Sequence, residues 1–327
     1  MADPVAIADI EAAARRIKGR VRRTPLLEND ALNKRTGARV LIKAEIFQRT
    51  GSFKPRGAFS RILALTPDER ARGVIAYSSG NHAQGVALAA SELGIKATIV
   101  IPADAPKLKI ARARAYGAEI VLYDRVHDDR EIIAKKIMAE RGLTLVPPYN
   151  HPHIIAGQGT LGLELAEQAR ETGAELDVVV APVGGGGLIA GISLALEAKM
   201  PNARVYGVEP EGFDDTRRSL EAGERVSNPR TYGSICDALL VNMPGELTFP
   251  INKRLLKGIV TVTDDEALAA VAFGLNELKL VAEPGGGVAL AALLAGKLDV
   301  KGKAAVVVLS GGNASSEILA RAAHNPA

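Results

Sequence analysis

Short apolar runs alternate along this chain with longer Ala-, Leu- and charge-rich segments of helical period. The apolar runs predict strands over residues 39–43, 74–77, 97–101, 119–122, 177–181, 204–208 and 304–309. Several, such as Val178-Val179-Val180-Ala181 and Ala305-Val306-Val307-Val308-Leu309, are apolar at consecutive positions. A strand with one wet face alternates and a strand covered on both faces does not, so these runs predict parallel strands buried between helices, an α/β class. Two predicted helix starts carry capping boxes, Thr66 with Glu69 and Thr263 with Glu266. No tandem repeat or low-complexity linker interrupts the pattern.

The 327 residues, 47% hydrophobic and 24% charged, are enough for about two ordinary folded domains and speak against a disordered or fibrous protein. The net charge of +4 is spread along the chain, which gives nucleic-acid binding no support. Cys236 is the only cysteine, which excludes an intramolecular disulfide and a cysteine-based zinc cluster and suits a reducing compartment, the cytoplasm by default. The N-terminal segment runs from acidic and small residues to the basic stretch 15–23, the reverse of a secretory signal, and no run of about 18 apolar residues is present. A soluble protein without membrane partners is expected.

Candidate chemistry is concentrated in glycine-rich turns. The predicted strand 177–181 runs into Gly184-Gly185-Gly186-Gly187 and then a helix, a strand-to-helix turn whose backbone N–H groups can converge on a phosphate. It lacks the Lys-Ser/Thr ending of a nucleoside-triphosphate loop and is not the GxGxxG dinucleotide fingerprint, although Glu209 lies near the spacing of that fingerprint's acidic residue. A nucleotide site and a ligand-free turn both stay open on the residues alone. Two more polar turns follow strands: Ser78-Ser79-Gly80-Asn81-His82 and Ser310-Gly311-Gly312-Asn313. In a parallel sheet these turns share the ligand crevice at the carboxyl ends of the strands. Lys54, within Gly51-Ser52-Phe53-Lys54-Pro55-Arg56-Gly57, is the fourth element.

Taken together and in this order, SFKPRGA, SSGNHAQGVA, GGGGLIAG and SGGN resemble the pyridoxal-phosphate (PLP) enzymes of the tryptophan-synthase-β type, fold type II, and within them the serine/threonine dehydratase and serine racemase family. The resemblance implies a two-domain α/β fold with parallel or mostly parallel twisted sheets flanked by helices. A large PLP-binding domain would comprise residues 1–72 and 151–327, and a small mobile domain residues 73–150. It also implies a cleft that closes over a small amino-acid substrate, and a homodimer. His82, where cysteine synthases carry threonine, favours elimination over substitution. The regulatory C-terminal domain of the long biosynthetic threonine dehydratases, and with it feedback by isoleucine, is not expected.

The resemblance also implies roles. Lys54 would carry the cofactor covalently and abstract the substrate Cα proton, which requires a neutral amine. Phe53 would lie against the pyridine ring, Asn81 would bond its hydroxyl, Gly184, Gly185, Gly186 and Gly187 would hold the phosphate, and Ser310 would face the ring nitrogen. A hydroxyl at that nitrogen weakens the electron sink and favours prompt loss of a β-leaving group. Ser78, Ser79, Asn81 and His82 would grip the α-carboxylate. The implied reaction is β-elimination from L-threonine or L-serine to a 2-oxo acid and ammonia. Ser79 would be the acid on the opposite face that racemisation needs, so a serine racemase with side dehydratase activity is one alternative. Dehydration of 3-hydroxyaspartate is another, with Arg130 at a position that contacts diacids in the racemases and with His151 and His153 nearby. Glu209, the carbonyl of Phe213, and Asp215 match a divalent-cation site suited to Mg²⁺, or to Ca²⁺ or Mn²⁺. Cys236-Asp237-Ala238, in place of a more usual Asp-Gly, would narrow the substrate pocket.

Overall fold

The computed structural model describes residues 3–78, 80–105 and 107–324. Ten strands form two sheets: β1 (Leu26–Glu28), β2 (Arg39–Ala44), β3 (Val74–Tyr77), β4 (Ala97–Pro102), β5 (Glu119–Tyr123), β6 (Thr144–Leu145), β7 (Val178–Pro182), β8 (Arg204–Pro210), β9 (Leu256–Val262) and β10 (Ala304–Leu309). The larger sheet runs β1-β2-β10-β7-β8-β9 and the smaller β5-β4-β3-β6. Only the β1–β2 pairing is antiparallel.

All seven predicted strands form, within two residues at each end. The three unpredicted ones are short or interrupted: β1 and β6 have three and two residues, and β9 contains Gly258 and meets β8 through a register shift at Val205/Tyr206. The consecutive apolar runs have the anticipated cause. On β10, Ala305, Val307 and Leu309 enter one core while Val306 and Val308 enter the core on the opposite face. On β7, Val178 and Val180 divide from Val179 and Ala181 in the same way. The smaller sheet repeats this, with Val74 and Ala76 on one side and Ile75 and Tyr77 on the other. Both capping boxes are made.

Helix Lys54–Leu63 packs between helices Asn81–Glu92 and Pro152–Glu171 and so joins the two sheets' surroundings. Its first turn is anchored by charge. Arg56 is fully buried and forms double hydrogen bonds with Glu45 (2.8 and 2.8 Å) and Glu164 (2.7 and 2.8 Å). Lys43 completes the cluster, 2.8 Å from Glu164 and 2.8 Å from Gln168. Such a cluster adds little net stability when complete, but losing one partner strands a charge in low dielectric. It fixes a helix whose first residue is Lys54.

Candidate active site

The carboxyl ends of β3, β7 and β10 open on one cavity, as expected for ligand crevices of parallel sheets. Phe53 and Lys54, the turn 184–187 after β7, Ser310 after β10, and Ser78, Gly80, Asn81 and His82 after β3 all line it. The segments are tied directly: Phe53 N–H donates to Ser310 O at 3.1 Å and Gly312 N–H to Gly51 O at 2.8 Å. Ser52 and Gly311 form a bridge. Ser79 lies outside the described residues.

The Lys54 Nζ donates to Pro148 O at 3.0 Å and sits 5.0 Å from the Phe53 ring centre. Burial lowers its pKa to about 8, against an opposing pull from the Glu283 carboxylate. A substantial share of the amine is therefore neutral and nucleophilic near pH 8, the state a carbonyl-bearing cofactor requires.

Two helix starts line the same cavity as this amine and neither has a side-chain cap. Helix Gly187–Lys199 begins after Gly186, and helix Asn81–Glu92 after Gly80. Asn29, Thr66, Asp129, Thr263 and Ser315 cap their helices with side chains, while the helices that start at Lys54, Asp215, Thr248 and Pro284 also lack such a cap. The bare N–H groups at the cavity leave room for anions. Gly186 is left-handed (φ 86°), and a Cβ there would lie 2.5 Å from the Asn252 amide. At Gly185 a Cβ would lie 2.3 Å from the Tyr149 ring, so only glycine lets that ring floor the turn. The predicted phosphate cradle is a shaped pocket.

Asn81 Nδ2 donates to Glu283, and Asn81 Oδ1 accepts from Asn313 Nδ2 at 2.8 Å. Glu283 is buried, its carboxyl raised by burial against the pull of Lys109. His82 pairs through Nε2 with Val146 O at 2.8 Å, and burial, with the Lys54 charge adding to it, drives its pKa to about 3. The imidazole is neutral, and its backbone at the helix start is the part suited to an anion. Arg130 lines the cavity, 5.3 Å from the Tyr77 ring. His151 and His153 do not join it: they stack on each other at 5.5 Å and do not line the cavity. Asp237 and Ala238 line the cavity, whereas the Cys236 thiol is fully buried, its pKa pushed by burial up to about 12, so it narrows nothing.

A model of the family described as "Pyridoxal-phosphate dependent enzyme" matches residues 17–312. The chain belongs to the pyridoxal-phosphate dependent enzymes. An L-threonine ammonia-lyase of Thermotoga maritima is 44% identical over 97% of this chain and 78% of its own. An L-threo-3-hydroxyaspartate ammonia-lyase of Saccharomyces cerevisiae is 42% identical over 93% of this chain and 92% of its own. The structure of maize serine racemase superposes with a TM-score of 0.91 at 36% identity, covering 97% and 96% of the two chains. The fold is that of the type II PLP enzymes.

For a PLP-dependent enzyme the residues present fit the cofactor: a lysine of lowered pKa, Phe53 beside it on the same cavity, and a glycine turn at an uncapped helix start. The cation site is a separate matter. Glu209 and Asp215 are fully buried, and burial raises both, Asp215 to about 7. Glu209 accepts the N–H groups of Thr216 (3.0 Å) and Arg217 (2.9 Å), and Asp215 Oδ1 accepts Asn228 Nδ2 at 2.6 Å, while Asp215 Oδ2 has no partner. Among the described residues no three metal-ligating side chains cluster, so a cation here would rely on two carboxylates and backbone oxygen. Among the described residues no helix is long and apolar enough to cross a membrane. Glu283, Lys109 and Arg56 are the residues that sequence reasoning missed. Arg56 stood inside a quoted motif, but the other two had no local signal.

Proposed function

We propose that the protein is an ammonia-lyase that removes water from L-threonine or L-serine and releases a 2-oxo acid and ammonia. The observation that carries this reading is the Lys54 amine in one cavity with two helix starts that lack side-chain caps, one suited to a phosphate and the other to a carboxylate. When bound, the cofactor supplies a carbonyl carbon for the substrate amine and an electron-withdrawing ring. Phe53 would flank that ring, the backbone of 184–187 would bind the phosphate, and Ser310 and Asn81 would meet the ring's polar edge. Ser78, Asn81 and the helix start bind the α-carboxylate and orient Cα toward Lys54 Nζ. Lys54 takes the Cα proton, and the lowered pKa keeps it competent as a base. Neutral His82 adds no charge to trap the carboxylate too tightly. Closure of the unit 73–150 over the cavity excludes water. The test is keto-acid release from L-threonine, L-serine and the 3-hydroxyaspartate diastereomers. No release from any of them refutes the reading.

A second substrate, 3-hydroxyaspartate, is favoured by one feature: among the described residues Arg130 has no carboxylate partner, so its guanidinium is free for a second carboxylate. Activity on the diacid lost in Arg130→Gln with threonine activity kept supports that reading. Racemisation rests on Ser79 as acid on the face opposite Lys54. Ser79→Ala is expected to suppress racemisation of serine more than elimination from it. The orphaned Asp215 Oδ2 supports Mg²⁺ held by Glu209, Phe213 O and Asp215 away from the cofactor. The lone buried cysteine supports a cytoplasmic setting, and light scattering tests the homodimer.

A further inference from the structure

We propose that Lys109 and Arg112 are positioning residues that latch helix Lys107–Ala115 across the cleft and so hold the Asn81 amide at the cavity. The helix KLKIARARA is polar. On the cleft side it buries Lys109, only 6% exposed. Burying an unpaired ammonium costs several kcal/mol, so what holds this one must be charge. Lys109 Nζ lies 2.7 Å from Asp237 Oδ2 and 3.6 Å from Glu283 Oε2. Both acids belong to the chain segment that carries β7 to β10. A Cβ at Gly80 would lie 2.9 Å from Lys109 Cδ, so glycine there gives the lysine its path beneath the turn.

The contacts close into a ring. Glu283 accepts from Asn81, whose Oδ1 accepts from Asn313 at 2.8 Å, and Asn313 Oδ1 accepts from Arg112 at 2.6 Å. Arg112 stands three residues after Lys109 on the same helix face, which completes the circuit. Asn313 Nδ2 also reaches Thr50 O at 2.8 Å, next to the segment that carries Lys54. Both ends of the Asn81 amide are thus held by groups that Lys109 and Arg112 tie down. Moving the helix away breaks the two cations' contacts together and frees the amide to turn.

The test is amide hydrogen exchange on the cofactor-loaded protein, which does not depend on the substrate's identity and so separates this inference from the proposed reaction. Lys109→Met is expected to speed exchange across 107–115 and the first turn of helix Asn81–Glu92 by about tenfold or more, the scale of a lost charge-assisted hydrogen bond, with β7 and β10 unchanged. Asp237→Asn, 128 positions away, is expected to speed the same helix, and the double variant to add little to either single change. Should Lys109→Met fail to fold, Asp237→Asn and the surface change Arg112→Ala carry the same expectation. Wild-type exchange over 107–115 in Asp237→Asn, or fully additive effects in the double variant, overturns the latch.

Discussion

The six-stranded sheet presents a run of four glycines to the cavity, with Ser310 and Asp237 beside it, whereas the four-stranded sheet presents both of the cavity's cations other than Lys54, namely Lys109 and Arg130. After β7 and β10 stand Gly184–Gly187 and Ser310, shaped by Tyr149, Thr248 and Asn252 packed behind them. After β3 come Ser78 and Asn81, after β4 Lys109, and after β5 Arg130. Their strands also differ in cover: β7 is buried along its length and β10 from its second residue on, while on the edge strand β5 only Tyr123 is buried. A rigid backbone cradle suits a cofactor that stays, and ion-tied side chains suit a substrate that enters and leaves. The difference teaches that the two halves should respond to substitution in different ways.

The sharpest break is at the seam. Lys54→Ala is expected to lower keto-acid release by about 10²–10⁴-fold or more, because the other lysine that lines the cavity, Lys109, is held by Asp237 and Glu283. Steady-state turnover with circular dichroism as a fold control measures it. Glu45→Gln is expected to cost about 3–5 kcal/mol of stability by leaving Arg56 short of one carboxylate, measurable by urea denaturation. That substitution attacks the anchor common to both halves, so an effect below about 1 kcal/mol would mean that the helix Lys54–Leu63 is fixed otherwise.

The rigid half was the more legible of the two. Consecutive apolar residues in β7 and β10 betray two-sided burial, and four glycines in a row betray a cradle. Lys54 stands out only when SFKPRGA is read together with the three glycine-polar turns and the family that they resemble. The latch was not legible, since Lys109, Asp237 and Glu283 come from three unrelated stretches with no spacing rule between them. The same holds for the stacked His151 and His153, whose place just before IAGQGT suggested, with Arg130, a site for a second carboxylate that the packing does not build. Cys236 and Asp237 are neighbours, yet one faces the core and the other the cavity.

A smaller effect concerns the cation. If Mg²⁺ bridges Glu209 and Asp215, chelator lowers the melting temperature, and ion at 100 times its Kd restores about 2.7 kcal/mol. Asp215→Asn should abolish this response and stabilise the chelated protein, because it removes a buried carboxyl that lacks a partner at Oδ2. A chelator response that persists in Asp215→Asn moves the cation elsewhere.

The smallest effect is in pH. In cofactor-free protein, Lys54 has a pKa of about 8 against 10.5 in the unfolded chain. The unfolded state therefore binds the extra proton between those values, and wild-type stability rises with pH through that window. Lys54→Met, which lacks the proton, is expected to melt above wild type at pH 7 and to lose the advantage by about pH 10.5. Parallel curves for the two proteins would mean that the Lys54 amine is not desolvated.

The central claim is that Lys54 holds the cofactor, and trapping tests it most directly. Holoenzyme is reduced with borohydride, digested and mapped by mass spectrometry. The account predicts that the peptide containing Lys54 carries the reduced cofactor and that Lys109 does not. Reduced cofactor on any other lysine, or none on Lys54 in a protein with a visible absorption band, contradicts it.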